Sequence, residues 1–178
     1  MHVRIPKDRI GALIGPEGKT KHELEKRTGV KLHIDSETGE VEIESKDNPL
    51  GVLQARDVVK AIGRGFSPER AMRLLQENQY LDIVDIREFA GTSGKAMRRL
   101  RGRVIGENGK TRETIERLSG AYVSVYGKTV ALIGSAEELR IARAAVEMLL
   151  RGAQHSSVYR YLERQRKGMK PGWAQPWK

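Results

Sequence analysis

Apolar and polar positions along this chain fall into a pattern that is written twice, the second copy displaced by 91 residues from the first. Short β-like runs open each copy at residues 2–5 and 81–86. Two more runs of alternating character follow in each, at 31–34 and 40–44 and again at 122–125 and 129–133, rich in branched residues and separated by turn formers. These read as strands. Apolar residues then recur at helical spacing, clearest in Leu139, Ala142, Val146 and Leu149 and matched earlier by Leu53, Val59 and Ile62, so each copy closes with an amphipathic helix. A further helical stretch trails each closing helix, at 67–78, where Ser67-Pro68 makes a helix start, and at 155–166. The boundary between copies is expected near residues 78–80, giving units of 1–78 and 79–168 and a flexible tail over 169–178.

Between the leading strand and the strand pair, each copy carries two helical segments joined by a Gly-x-x-Gly turn. The strings are Leu13-Ile14-Gly15-Pro16-Glu17-Gly18-Lys19-Thr20 and Val104-Ile105-Gly106-Glu107-Asn108-Gly109-Lys110-Thr111. Around them the same displacement aligns Gly11 with Gly102, Leu24 with Ile115, and Thr28-Gly29 with Ser119-Gly120, the last two glycines acting as helix stops. Glycines at both ends of the turn let another backbone approach closely and tolerate positive φ. The helix that starts at Lys19 or Lys110 directs its first N–H groups and its positive end at the same place, which suits a phosphate; the lysine and the threonine are expected to add a cation and a hydroxyl there. One Gly-x-x-Gly occurs readily by chance in ordinary turns. Two in matching frames do not.

Charge separates the copies. The chain carries +10 overall, but residues 1–78 hold 14 Lys and Arg against 13 Asp and Glu, whereas 79–178 hold 19 against 10. A basic half attracts polyanions and supplies affinity for phosphates that does not depend on sequence. Solubility alone is the plainer reading of such charge, yet the cations crowd one motif: Lys95, Arg98, Arg99, Arg101, Arg103, Lys110, Arg112 and Arg117 surround the second turn, against Glu107, Glu113 and Glu116. In the first turn Pro16 removes an N–H donor and Glu17 puts a carboxylate where phosphate would lie. The second turn keeps Asn108 and is expected to be the stronger binder.

Sequence reading would come from a groove walled by Val104, Ile105 and Ile115, with Ser124 contacting base edges. Ile14, Leu24, Ile105 and Ile115 are most simply core residues, with any groove role additional. His33 and Tyr122 are ambiguous. Aromatic residues make up 5% of the chain, too few for an aromatic stacking platform, and both tryptophans, Trp173 and Trp177, lie in the tail with Lys170 and Lys178.

Several functions are excluded or disfavoured. A P-loop needs glycine five residues before its Gly-Lys pair, and those positions hold Leu13 and Val104. The histidines His2, His22, His33 and His155 lack metal-ligand spacing, and no acid cluster faces a nucleophile, so neither a catalytic nor a metal site is expected, and no cofactor. With no cysteine, disulfides and thiolate metal sites are absent, and with no secretory or membrane segment a cytoplasmic protein is expected.

These motifs resemble the KH domain in its eukaryotic-type, or type I, order. The resemblance implies an α+β fold, β-α-α-β-β-α, with a three-stranded antiparallel sheet and helices on one face, here in tandem and each with an appended helix. Such modules clamp about four single-stranded bases beside the Gly-x-x-Gly turn. The tandem arrangement, the Val104 to Thr111 string and the basic helical extension are similar to archaeal pre-rRNA-processing KH proteins related to the eukaryotic "partner of Nob". That similarity implies binding near the 3′ end of small-subunit rRNA during ribosome assembly, alongside the 3′-end endonuclease and the dimethyladenosine transferase. The RNA-binding residues expected from motif, charge and resemblance together are Gly106, Glu107, Asn108, Gly109, Lys110, Thr111, Arg112, Ile105, Val104, Arg103, Arg101, Arg98 and Ser124, with Gly15, Gly18 and Lys19 in the first copy. Two other readings stay open: a protein scaffold that presents RNA to a processing enzyme, and a regulator that binds single-stranded DNA or mRNA.

Overall fold

The computed structural model describes residues 1–169; the tryptophans and lysines expected in the tail lie outside the described residues. Contacts divide the chain into a unit Met1–Leu81 and a second from Asp82 onward. No helix among the described residues is long and apolar enough to cross a membrane.

The first unit runs through β1 (His2–Arg4), a single 3-10 turn, α1 (Ile10–Ile14), α2 (Lys19–Thr28), β2 (Lys31–Ile34), β3 (Glu40–Glu44), α3 (Pro49–Gly63) and α4 (Pro68–Ala71). The three strands are antiparallel in the order β1-β3-β2, with Val3 opposite Val41 and Leu32 opposite Ile43. Strand periodicity explains the faces. Val3, Leu32, Val41 and Ile43 are buried, while His2, Arg4, Lys31, His33 and Glu40 alternate to the exposed side. Gly29 ends α2 in the left-handed conformation, φ 70°, its N–H donating to the Glu25 carbonyl. Asn48 caps α3 by accepting from the Gly51 N–H at 3.0 Å, and its own amide donates to the Thr28 carbonyl at 2.9 Å. One residue thus starts a helix and satisfies the end of another.

The second unit contains β4 (Tyr80–Asp85), whose first residues precede the division, one turn of α5 (Arg87–Ala90), α6 (Gly94–Ile105), α7 (Lys110–Ser119), β5 (Tyr122–Tyr126), β6 (Thr129–Gly134), α8 (Ala136–Leu150) and α9 (His155–Gly168). Its sheet has the matching order β4-β6-β5. A capping box starts α8: Glu138 N–H donates to Ser135 Oγ at 3.2 Å, and Ser135 N–H to Glu138 Oε1 at 2.8 Å. Leu139, Ala142, Val146 and Leu149 are buried as their spacing predicts, in one core with Val104, Ile115, Val123, Leu132, Val158 and Leu162. Truncating a buried residue such as Ile115 to alanine would cost about 2–5 kcal/mol.

Two expectations change. Leu53 is 43% exposed, because the buried stripe of α3 runs through Ala55, Val58, Val59 and Ile62 and leaves Leu53 on the outer side. The appended helix expected over 67–78 is α4 followed by a 3-10 turn at Met72–Leu75. Ser67 does start it, accepting from the Arg70 N–H. Ala71, Met72 and Leu74 are its buried residues.

Candidate nucleic-acid interface

Both Gly-x-x-Gly turns have the same backbone. Gly15 and Gly106 have φ/ψ of 75°/173° and 75°/171°; the third residues, Glu17 and Asn108, are left-handed at 56°/26° and 55°/27°; Gly18 and Gly109 follow at 75°/13° and 76°/9°. Asparagine is among the few non-glycine residues that enter this region readily, whereas glutamate there costs about 1–2 kcal/mol. The N–H of the last turn glycine donates to the carbonyl of the first, at 3.1 Å in the first copy and 3.2 Å in the second. Each turn is therefore closed on itself, ahead of a helix whose N-terminus faces it.

Thr111 departs from expectation. Its side chain is buried beneath the turn, and a Cβ on Gly106 would overlap it. Its hydroxyl shares a 3.0 Å hydrogen bond with Tyr159 of α9. It cannot serve as a surface hydroxyl for phosphate. Thr20 lies in the same place beneath Gly15, so the first glycine of each motif is required by internal packing as well as by φ.

Other site residues sort by what their side chains touch. Val104 and Ile115 are fully buried and are core, not groove; Ile105 is half-buried at the rim. Arg103 turns inward, donating to the Leu149 carbonyl at 2.9 Å and to the Ala153 carbonyl. Arg112 pairs with Glu116 at 2.7 Å and approaches Glu113 at 3.9 Å. Glu116 in turn accepts from the Val123 N–H at 2.8 Å, as Glu25 does from the Leu32 N–H at 2.8 Å, so both repeats hold the start of a strand with a helical glutamate. Arg101 is half-buried, with its Nε out of solvent and unpartnered among the described residues. Ser124 lies between Val123 and Val125, which pack on the core, so strand alternation places it on the opposite face of the sheet from the helices. That face is turned away from Val104 and Ile115, with which it was expected to share a groove.

At the surface remain the exposed turn residues Glu107 and Asn108, the exposed Lys110, Lys95, Arg98, Arg99 and Arg117, and half-buried Gly106 and Gly109. Lys95, Arg98, Arg99, Lys110 and Arg117 make no ion pair among the described residues. In the first copy Lys19 is likewise exposed, next to exposed Pro16 and Glu17. Gly15 and Gly18 keep the turn, but the surrounding cations are fewer. The reason is visible in the helices: α6 has 12 residues and α1 has 5, and Lys95, Arg98 and Arg99 lie on the extra turns.

Two positions beside the turn carried no expectation from the sequence. Gly102 and its counterpart Gly11 are exposed, sit one turn before the motif, and have nothing within 4 Å of where a Cβ would be. Nothing among the described residues requires glycine there, although glycine in a helix costs about 0.5–1 kcal/mol relative to alanine. Their matched positions in both copies were the available signal. Val125 is the second, a half-buried aliphatic residue at the core's edge that aligns with half-buried Ile34.

Comparison with known proteins agrees with this geometry. A family model of the second PNO1 repeat, described as the eukaryotic-type KH domain (KH-domain type I), matches residues 80–167, and a KH domain model matches residues 1–61. The KH domain-containing protein MJ0443 of Methanocaldococcus jannaschii is 51% identical over 99% of this chain and 78% of its own length. The pre-rRNA-processing protein PNO1 of Coccidioides immitis is 30% identical over 73% of this chain, which spans 52% of that protein. Among solved structures, Dim2p from Pyrococcus horikoshii OT3 superposes with a TM-score of 0.87 at 57% identity, over 92% of this chain and 98% of that one. The a/eIF2alpha-aDim2p-rRNA complex from the same organism gives 0.89 at 56% identity, over 95% and 94%.

Proposed function

We propose, from the premise that this chain belongs to the KH-domain family of archaeal Dim2p and PNO1, that it binds single-stranded RNA, namely the 3′ region of small-subunit rRNA, through its second repeat. The observation that carries this reading is the closed turn from Gly106 to Gly109 set among five exposed cations, Lys95, Arg98, Arg99, Lys110 and Arg117, that have no ion-pair partner among the described residues. The rRNA in the Pyrococcus horikoshii complex supports it.

The turn and the N-terminus of α7 receive a backbone phosphate, because helix N–H groups and a partial positive charge converge there and Lys110 adds a full one. Bases lie along the exposed side of α6, where the missing Cβ of Gly102 admits a close approach, and against Ile105 and Val125. The cations of α6 follow the strand as it leaves. Such a clamp holds about four nucleotides, and its affinity falls with salt as counterions are released. In ribosome assembly the bound strand is presented to proteins acting at that end, such as the maturing endonuclease or the dimethyladenosine transferase.

The first repeat favours a second role, in protein contact. Glu17 opposes phosphate, and an open depression elsewhere on that unit is lined by Met1, Val30, Val52 and Leu53. Crosslinking the protein to a single-stranded oligonucleotide of small-subunit rRNA 3′ sequence, with the DNA version in parallel, tests the assignment. Crosslinks within residues 95–126 and weaker DNA binding are expected. Crosslinks confined to 15–34 would overturn the division of labour, and equal DNA binding would overturn the RNA assignment.

A further inference from the structure

We propose that α9 is the brace of the second Gly-x-x-Gly turn and that Tyr159 is its positioning residue, holding the turn in RNA-binding geometry before RNA arrives. This rests on the reading that the second turn binds RNA.

Hydrogen bonds and packing together fix α9 against both helices that flank the turn. Val158 and Leu162 are fully buried and anchor its inner face. From that anchor, His155 Nε2–H donates to the Arg103 carbonyl at 3.0 Å, in the last helical turn before the motif. Tyr159 and Thr111 share their 3.0 Å bond just after the motif. Arg166 donates to the Arg117 carbonyl at 2.8 Å, near the far end of α7. Tyr159 lies beside the start of α7 and Arg166 beside its end, so the two helices run in parallel and α9 supports α7 along its length. The Tyr159 ring is set edge-on to His155, centroids 6.2 Å apart and planes at 69°.

A continuous chain of contacts therefore leads from Tyr159 to Thr111, and from Thr111 to Gly106, whose missing Cβ leaves room for the threonine. Moving Gly106 displaces Thr111 and breaks its bond to Tyr159. The turn needs such support because Asn108 and Gly109 are both left-handed, and ordering a mobile turn at the moment of binding would subtract from affinity.

The first repeat supplies the contrast. It shares one device, although from a position that does not align: an arginine donates to carbonyls at the end of the closing helix and just beyond it, Arg9 to Ile62 and Phe66 at 2.8 Å each and Arg103 to Leu149 and Ala153. It lacks the rest. Thr20 sits beneath Gly15 as Thr111 does beneath Gly106, but its hydroxyl has no hydrogen-bond partner among the described residues, and the segment after α3 contains only the short α4 and a 3-10 turn.

The experiment uses the full chain, a single-stranded oligonucleotide of small-subunit rRNA 3′ sequence, and the variants Tyr159→Phe, Thr111→Val and both together. Removing one hydroxyl is expected to weaken RNA binding about three- to tenfold, with the double variant no worse than the weaker single. The slope of log affinity against log salt stays unchanged, since no phosphate contact is lost. In the RNA-free protein, amide exchange over residues 106–110 speeds up by about the same factor, while exchange in β6 does not. Wild-type exchange over 106–110 in Tyr159→Phe would overturn the brace, as would a matching acceleration in β6, which marks general destabilisation. If the wild-type chain fails to bind the oligonucleotide, the RNA reading falls, and the exchange comparison still decides the brace.

Discussion

The two repeats fold the chain along the same path and yet surround that path with different chemistry. Their turns superimpose residue by residue in φ and ψ, including the rare left-handed third position, and each buries a threonine under its first glycine. The path of the turn is present twice, although the first copy lacks the N–H that Pro16 cannot supply. What differs is outside it: a 12-residue α6 against a 5-residue α1, Asn108 against Glu17, and α9 against a short α4 with a 3-10 turn. The comparison teaches that internal packing is enough to require the first glycine of a Gly-x-x-Gly turn, while the charge and support around the turn are free to differ.

The largest effect should come from breaking the shared part. Gly106→Ala and Gly15→Ala each force a Cβ into the threonine beneath at a φ/ψ open essentially to glycine. Each should lower the unfolding stability of its own unit by about 1–3 kcal/mol. RNA affinity should fall more than about tenfold in Gly106→Ala and stay near wild type in Gly15→Ala, measured by fluorescence anisotropy beside urea unfolding. Equal losses of binding from both would erase the distinction between repeats.

A smaller loss should follow from removing what only the second repeat has. Replacing Lys95, Arg98 and Arg99 together by alanine leaves the turn untouched, since these side chains are exposed and form no ion pair among the described residues. Affinity should fall by about one order of magnitude. The salt slope should drop by about 0.7 for each phosphate contact removed from a single strand. Lys19→Ala in the first repeat should change neither. An unchanged slope in the triple variant would mean that these cations are only a solvated helix face.

Much of this comparison was legible in the sequence. The strands over Lys31–Ile34 and Glu40–Glu44 stand where alternation predicted them, and the glycine stops at Gly29 and Gly120 are left-handed helix ends as expected. Local pattern was enough there because local sterics decide those features. Facing was harder. Thr111 reads as a surface residue when taken with Lys110, but it also stands four residues before Ile115, and Thr20 four before Leu24, which puts both threonines on the apolar face of their helices. Ser124 alternates with two valines and so belonged to the other face of its strand. Arg103 was indistinguishable by composition from Arg98 and Arg99, because only tertiary structure brings the Leu149 and Ala153 carbonyls to it, whereas the pairing of Arg112 with Glu116, four residues on in the same helix, was legible in the spacing.

The smallest expected effect discriminates most sharply, because stability and binding should move in opposite directions. Gly102 and Gly11 occupy helical backbone at exposed positions with open space where a Cβ would go. Alanine at either position should stabilise its unit by about 0.5–1 kcal/mol, since glycine loses more backbone freedom on folding. If the space beside Gly102 is where RNA approaches α6, Gly102→Ala should bind the oligonucleotide a fewfold more weakly even though the protein is more stable, whereas Gly11→Ala should be stabilised with no change in binding. The measurement pairs urea unfolding with anisotropy at one salt concentration. No general weakening of the fold can mimic that result, because the fold is strengthened. Unchanged RNA affinity in Gly102→Ala would show that the bases do not pass over this part of α6, and would move the groove toward β5 and Val125.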